Sequence, residues 1–394
     1  MAIDKKIKVY VGMSGGVDSS LSAALLKQEG YDVVGVYMKN WTQDMPGAKC
    51  PWAYDLADAK RVAVKLGIDF KVFDFENEYK SRVVDYMVNE YKAGRTPNPD
   101  IMCNQEVKFK LFLETALEDG ADMIATGHYA RVLHFSGDSS IKSPSLLHAT
   151  SDKGTSALLD SDSRVSVDVT DESHFKISGY LKQAVDEVKD QTYFLYRVTG
   201  EALGKTLFPI GEYTKKQVRK MATELDLITA NKKDSQGICF VGQVGIQEFL
   251  GQYVKPKPGN IVNKQTGKIL GVHNGAIFYT IGQRHGLDVG GGLPYYVVGK
   301  DMTKNEVYVT TDLNDDNLWK KDIELTDTHW INQKPKEGEC QIRVRHRSPL
   351  INAKLSIKGD KAQLRLEHPQ RAIASGQSVV IYNNDICLGG GIVA

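Results

Sequence analysis

The run Ser14-Gly15-Gly16-Val17-Asp18-Ser19 has the residue types of an anion cradle. Gly15 and Gly16 lack a Cβ, so backbone N–H groups there can turn toward a charged group at close range. The apolar run Lys8 to Met13 precedes them and the helical run Ser20 to Glu29 follows. A helix starting there adds its unsatisfied N–H groups and the positive end of its dipole, which suits phosphate. Ser14 and Ser19 offer hydroxyls, and Asp18 is a candidate to hold a magnesium ion bridging phosphates. No Lys follows the glycines, so this is not the G-x-x-x-x-G-K-[ST] loop. Gly12, Gly15 and Gly16 do not spell the dinucleotide pattern G-x-G-x-x-G. The alternative is an ordinary tight turn before a capped helix, which uses the same residues.

Two cysteines invite a second chemistry. Cys103 follows Arg95-Thr96-Pro97-Asn98-Pro99-Asp100, a loop that its prolines make stiff and non-helical. A helix is expected from near Asn104. Its N-terminus would lower the thiol pKa of Cys103 and raise the reactive fraction. Asp100, three residues earlier, is a candidate acid–base group. The competing reading is a buried, inert cysteine. Cys239 lies in Asp234-Ser235-Gln236-Gly237-Ile238-Cys239-Phe240, where Gly237 permits a turn; by residue type alone it reads as a core cysteine. Cys50, Cys340 and Cys387 read the same way.

These groups need a scaffold. Strands are predicted over Lys8–Met13, Asp32–Met38, Phe70–Phe75 and Met123–Thr126. Helices are predicted over Ser20–Glu29, Ala53–Leu66, Asn77–Lys92 and Gln105–Leu117. Alternation of this kind implies an α/β domain with a parallel sheet and helices on both faces. Ligands then bind beyond the carboxyl ends of the strands, where the glycine loop, Met38 and Gly127 fall. From Leu133 to about Phe175 the chain turns polar without a period, which reads as a surface insertion. Lys215–Leu225 reads as a helix whose Lys215, Lys216, Arg219 and Lys220 form a basic, solvated patch. From Gly259 onward, short strands punctuated by Gly, Asn and Asp predict a small β-barrel or sandwich. Arg343, Arg345 and Arg347 alternate along one predicted strand, so three guanidinium groups would share a face suited to a phosphate backbone.

Composition sets outer bounds. The 394 residues suffice for about two or three domains. The 41% apolar and 25% charged content is that of a soluble globular protein. No apolar run is long enough to cross a bilayer, and Met1 to Lys8 is too short and polar for a signal peptide, so a cytoplasmic location without a membrane partner is expected. Five cysteines without a C-x-x-C pair make neither a disulfide scaffold nor a structural zinc site. The formal net charge of +1 leaves nucleic-acid binding to a local basic surface.

Several blocks occur in a fixed order: Gly12 to Ser19, Asn98-Pro99-Asp100 with Cys103-Asn104, Thr126-Gly127-His128-Tyr129-Ala130-Arg131, Lys189-Asp190-Gln191, Asp234 to Phe240, and Tyr279-Thr280-Ile281-Gly282-Gln283-Arg284. Each is weak alone. Together they resemble the bacterial tRNA-specific 2-thiouridylases, PP-loop ATP pyrophosphatases that place sulfur on the wobble uridine. The resemblance implies a PP-loop domain over 1–242 with the insertion at about 134–175, a small central domain over 243–282, and a tRNA-contacting β-barrel over 283–394. It implies ATP, with Mg2+, bound by Gly12, Met13, Ser14, Gly15, Gly16, Val17, Asp18, Ser19, Met38 and Gly127. Cys239 would carry a persulfide from a sulfur-relay protein or cysteine desulfurase, and Cys103 would act as the nucleophile, forming a disulfide with Cys239 or freeing the sulfide. Asn98, Pro99 and Asp100 would meet the target base. His128, Lys189, Asp190, Gln191, Arg345, His346 and Gln377 would contact the anticodon stem-loop of tRNA. With Cys103 and Cys239 alone near the site, an iron–sulfur cluster would lack a third cysteine. Two other classes compete: a PP-loop ligase that adenylates a small carboxylate without any cysteine, and a tRNA-binding protein whose nucleotide site is only structural.

Overall fold

A computed structural model describes residues 6–44, 50–135, 178–234, 246–290 and 292–394. Cys239 and nearly all of the polar insertion lie outside the described residues. The first sheet has the order β3-β2-β1-β4-β7, all parallel: β1 Lys8–Gly12, β2 Asp32–Lys39, β3 Asp69–Asp74, β4 Met123–Thr126 and β7 Thr206–Leu207. Val9 and Val11 on one face of β1 and Tyr10 on the other are buried, as expected of a central strand covered on both faces. Helix α1 (Val17–Gln28) leaves β1 through the glycine loop. Its serines Ser20 and Ser22 are buried and donate to the carbonyls of Gly16 and Asp18, one turn back. Small, self-satisfied side chains let this helix lie close to the sheet.

The chain between β3 and β4 is helical earlier than predicted. One helical run covers Pro99–Cys103, a π-type stretch Asn104–Leu111 and Phe112–Glu118. Asn98 is its N-cap, accepting from the amides of Asp100 and Ile101, and Pro99 takes the first helical position. Pro at that position loses no hydrogen bond, so it starts this helix rather than preventing it.

Strands β5 (Arg131–Phe135) and β6 (Ser178–Lys182) form an antiparallel hairpin, so the first two residues of the expected insertion belong to a strand. A second sheet, β10-β11-β8-β9, joins β8 Gly259–Asn263 and β9 Ile269–His273 to β10 Tyr296–Asp301 and β11 Glu306–Thr310. The boundary expected at 282 falls inside this unit, whose core is Ile261, Val297, Val307 and Val309.

The third sheet is ordered β12-β15-β14-β13-β16-β17, and β12 also pairs with β17, which closes a barrel of β12 Trp319–Trp330, β13 Gly338–Arg343, β14 Ile351–Lys358, β15 Lys361–Arg371, β16 Ser378–Asn383 and β17 Ile386–Val393. Closure removes the free edges a sheet would otherwise expose. The hairpin β5–β6 extends this sheet through pairing of Ile386 with Lys182 and Cys387 with Leu181.

Candidate nucleotide and thiol site

Gly12 ends β1, Met38 lies near the end of β2, and Gly127 follows β4, so the parallel sheet gathers all three at its carboxyl edge. Gly15 has φ +72°, and a Cβ there would stand 2.3 Å from the carbonyl oxygen of Asp55. A Cβ on Gly127 would stand 2.6 Å from the amide of Ser19, so this glycine lets the β4 end approach the start of α1. Gly16 is the extended residue before α1. Ser19 Oγ accepts from the Ser14 amide at 3.1 Å and lies 3.3 Å from Ser14 Oγ, which holds the loop in a tight arc. Left-handed and extended glycines ahead of a helix start form the nest that binds anions. The loop therefore has the geometry of an anion site.

Asp18, in the first turn of α1, is already engaged. Tyr129 Oη donates to it at 2.9 Å, and Lys215 Nζ lies 2.8 and 2.9 Å from its two oxygens. Lys215 opens helix Lys215–Glu224, whose N-cap Thr214 and Gln217 form a capping box. The same ammonium is 2.8 Å from Asp234, which also receives Lys189 at 2.9 Å and Arg219 at 2.7 Å. Burial opposes the charge of Asp234, and the ammonium groups of Lys215 and Lys189 outweigh it, holding the carboxyl at about 2. Burial and then the Asp18 carboxylate push the Tyr129 hydroxyl far up, so it stays a donor. Lys215 is thus turned onto two acids and not out to solvent; no pattern at residue 215 points to a partner at residue 18.

Cys103 is fully buried, in the second turn of its helix. The helix starts at Pro99 and not near Asn104, so Cys103 stands beyond its first turn and not at its N-terminus. The last part of the run, Phe112–Glu118, packs on β4. Phe112 of the same run lies 3.5 Å from where a Cβ on Gly12 would be. Asp100 is half-buried. Among the described residues, no group of three or more His, Cys, Asp or Glu stands together to hold a metal.

The residues expected at tRNA divide into two sets. His128 is buried between the rings of Phe109 and Phe208 at 5.6 and 6.0 Å, with Nδ1 2.8 Å from Thr126 Oγ1, and burial pushes its pKa well down. Asp190 is 1% exposed and accepts from Thr192, from the Ala184 amide and from Arg343. Gln191 is tied to the backbone of Tyr129 in both directions. All three make contacts within the protein. Arg345 is exposed, while His346, Gln377 and Lys189 are half-buried. The shared face of three arginines does not form. The strand ends at Arg343, which turns inward onto Asp190, and Arg347 sits at φ +63° beyond it.

Residues 7–243 match a family model described as the tRNA methyl transferase HUP domain. Residues 247–311 match its PRC-barrel domain, and residues 320–393 an aminomethyltransferase β-barrel domain. Fold and matches define a HUP-domain transferase of the tRNA-modifying class, with two β domains following the nucleotide-type sheet. Over 400 residues the chain is 42% identical to the tRNA-specific 2-thiouridylase MnmA of Streptococcus sanguinis (strain SK36), covering 100% of this chain and 96% of that one. The chain belongs to the tRNA-specific 2-thiouridylase family. Among solved structures, NMN synthetase from Francisella tularensis is 14% identical over 59% of this chain and 67% of its own, with a TM-score of 0.31. A predicted subunit of tRNA methyltransferase from Methanocaldococcus jannaschii is 24% identical over 30% of this chain and 53% of its own, with a TM-score of 0.23. Similarities this partial carry no argument about function.

Proposed function

We propose that this chain is an ATP-dependent tRNA-uridine 2-sulfurtransferase acting on the wobble base. Its end-to-end identity with a thiouridylase carries the reading, and the anion cradle at the carboxyl edge of the parallel sheet supports it. The C2 oxygen of uridine is a poor leaving group. ATP supplies the AMP that converts it into a good one, releasing pyrophosphate. Gly12 to Ser19, Met38 and Gly127 would bind ATP with Mg2+. Asn98 and Asp100 would meet a base turned out of the anticodon stack, an extrusion that costs less in a loop than in a duplex.

The terminal sulfur of a persulfide on Cys239 attacks C2, and AMP leaves with the oxygen. The Cys103 thiolate then attacks the Cys239 sulfur, which breaks the S–S bond, leaves sulfur on the base and joins the two cysteines in a disulfide. An external dithiol must reduce that disulfide, and a persulfide donor must reload Cys239. Because Cys103 is buried, the step requires its surroundings to open when the base enters.

The test is mass analysis of anticodon nucleosides after incubation with tRNA, ATP and a persulfide source. Native protein should yield 2-thiouridine; Cys103→Ser and Cys239→Ser should yield none while still binding ATP. Full activity in both variants would leave the sulfur route without support and favour cysteine-free adenylation chemistry.

A further inference from the structure

The ion pair at the glycine loop is unevenly supplied. Asp234 has three cationic partners, Lys215, Lys189 and Arg219. Asp18 has Lys215 as its cationic partner among the described residues, with the Tyr129 hydroxyl beside it. Lys215 is only 13% exposed, and its ammonium spends its hydrogen bonds on the two acids. In this arrangement neither Asp18 nor Lys215 is available to a nucleotide: the acid is neutralised and the cation is shielded. Separating the two without replacement would strand a charge in a partly dry site, which is costly. Replacing both partners at once avoids that cost.

We propose that the Asp18–Lys215 pair is exchanged when nucleotide binds. The divalent cation that accompanies the triphosphate takes the Asp18 carboxylate. The Lys215 ammonium, still anchored on Asp234, becomes a ligand of a phosphate oxygen. Each charge trades one opposite partner for another, and no proton or covalent bond changes. The fold thereby supplies from residue 215 the lysine that the glycine loop itself lacks. This inference rests on the ATP reading above and adds a ligand to that site.

The test is calorimetric titration of the full-length chain with ATP, once with Mg2+ and once with EDTA, for the native protein, Lys215→Met and Asp18→Asn. Native affinity should rise at least fivefold with Mg2+. Lys215→Met should bind ATP with Mg2+ at least tenfold more weakly than native. Asp18→Asn, which releases Lys215, should bind ATP in EDTA at least as tightly as native and gain less than twofold from Mg2+. Native-like affinity in Lys215→Met, or a native-like Mg2+ gain in Asp18→Asn, overturns the exchange while leaving ATP binding intact. Absence of any ATP binding by native protein overturns the nucleotide reading itself. If Lys215→Met does not fold by circular dichroism, the Asp18→Asn titration decides alone.

Discussion

Arg343 of the closed barrel donates to Asp190 of the α/β domain across 2.6 Å, and the two side chains are 9% and 0% exposed. The Arg343 guanidinium also lies over the Tyr382 ring, and Thr192 bridges Asp190 to the Tyr382 hydroxyl. This dry polar junction locks the barrel to the loop that carries Lys189. Removing one member leaves a buried charge, which costs about 3–5 kcal/mol. Arg343→Met should therefore destabilise the full chain by that amount in urea denaturation. Adding Asp190→Asn should recover part of the loss. A cost below about 1 kcal/mol for the single change would mean that water reaches the pair.

Thr96 joins three units. Its hydroxyl is 3.1 Å from that of Thr280 in the middle unit, and its amide donates to the Ser375 carbonyl of the barrel at 2.9 Å. Gly376, at φ +87°, leaves no room for a Cβ, which would stand 2.7 Å from the Thr96 amide. The stretch Asn98 to Asp100, proposed to meet the base, begins two residues later. Gly376→Ala should push the barrel off this stretch, raising KM for tRNA several-fold with the ATP dissociation constant unchanged. Steady-state kinetics with each substrate varied, alongside ATP titration, separate the two. An equal loss in both would point to general misfolding.

The α/β half of this fold was legible because buried parallel strands and their helices differ in period, as β1, α1 and β2 do. The helix starts at Pro99 and not near Asn104, because Asn followed by Pro opens a helix as readily as proline breaks one. The barrel strands Trp319–Trp330 and Ile386–Val393 were not predicted: one carries many charges on its outer face and the other holds Gly389, Gly390 and Gly391. Those glycines fit because other backbone lies close, a Cβ on Gly390 falling 2.2 Å from the Val379 carbonyl oxygen. Local pattern carries no trace of such an approach. The inward turn of Arg343 and the pairing of Lys215 with Asp18 were equally hidden, since each depends on a partner more than a hundred residues away.

Gly15→Ala tests the cradle. The residue is held at φ +72°, where a side chain is strained, and the added methyl would strike the Asp55 backbone. ATP affinity should drop at least tenfold. Gly30→Ala, also at positive φ but with nothing within 4 Å, provides the control, costing stability and leaving ATP affinity unchanged. Equal effects of the two on ATP binding would show that the loop is only a turn.

His346 should be neutral well below neutral pH. Its ring lies 4.4 Å from Phe194, and burial, followed by the nearby Arg347 charge, pulls its pKa down to about 4. In the unfolded chain it would titrate near 6.5. Its contribution to stability is then complete above about 6.5 and is lost as pH falls toward 4, because the unfolded state takes up the proton first. An NMR titration should place the resonance that disappears in His346→Gln near 4. A midpoint above 6 would mean that the ring is solvated and charged readily.

The polar stretch between β5 and β6 should be dispensable. Phe135 and Ser178 are register partners at the open end of the hairpin, so the chain leaves and returns at adjacent points of one ladder. Two-residue Asn-Gly turns close such ladders without strain. Replacing residues 136–177 by Asn-Gly should preserve the melting temperature within a few degrees and leave ATP consumption intact. The hairpin would still pair with β17 through Leu181 and Lys182. A folded variant that no longer consumed ATP would assign the stretch a direct part in the chemistry, whereas a rise in KM for tRNA alone would assign it to RNA approach.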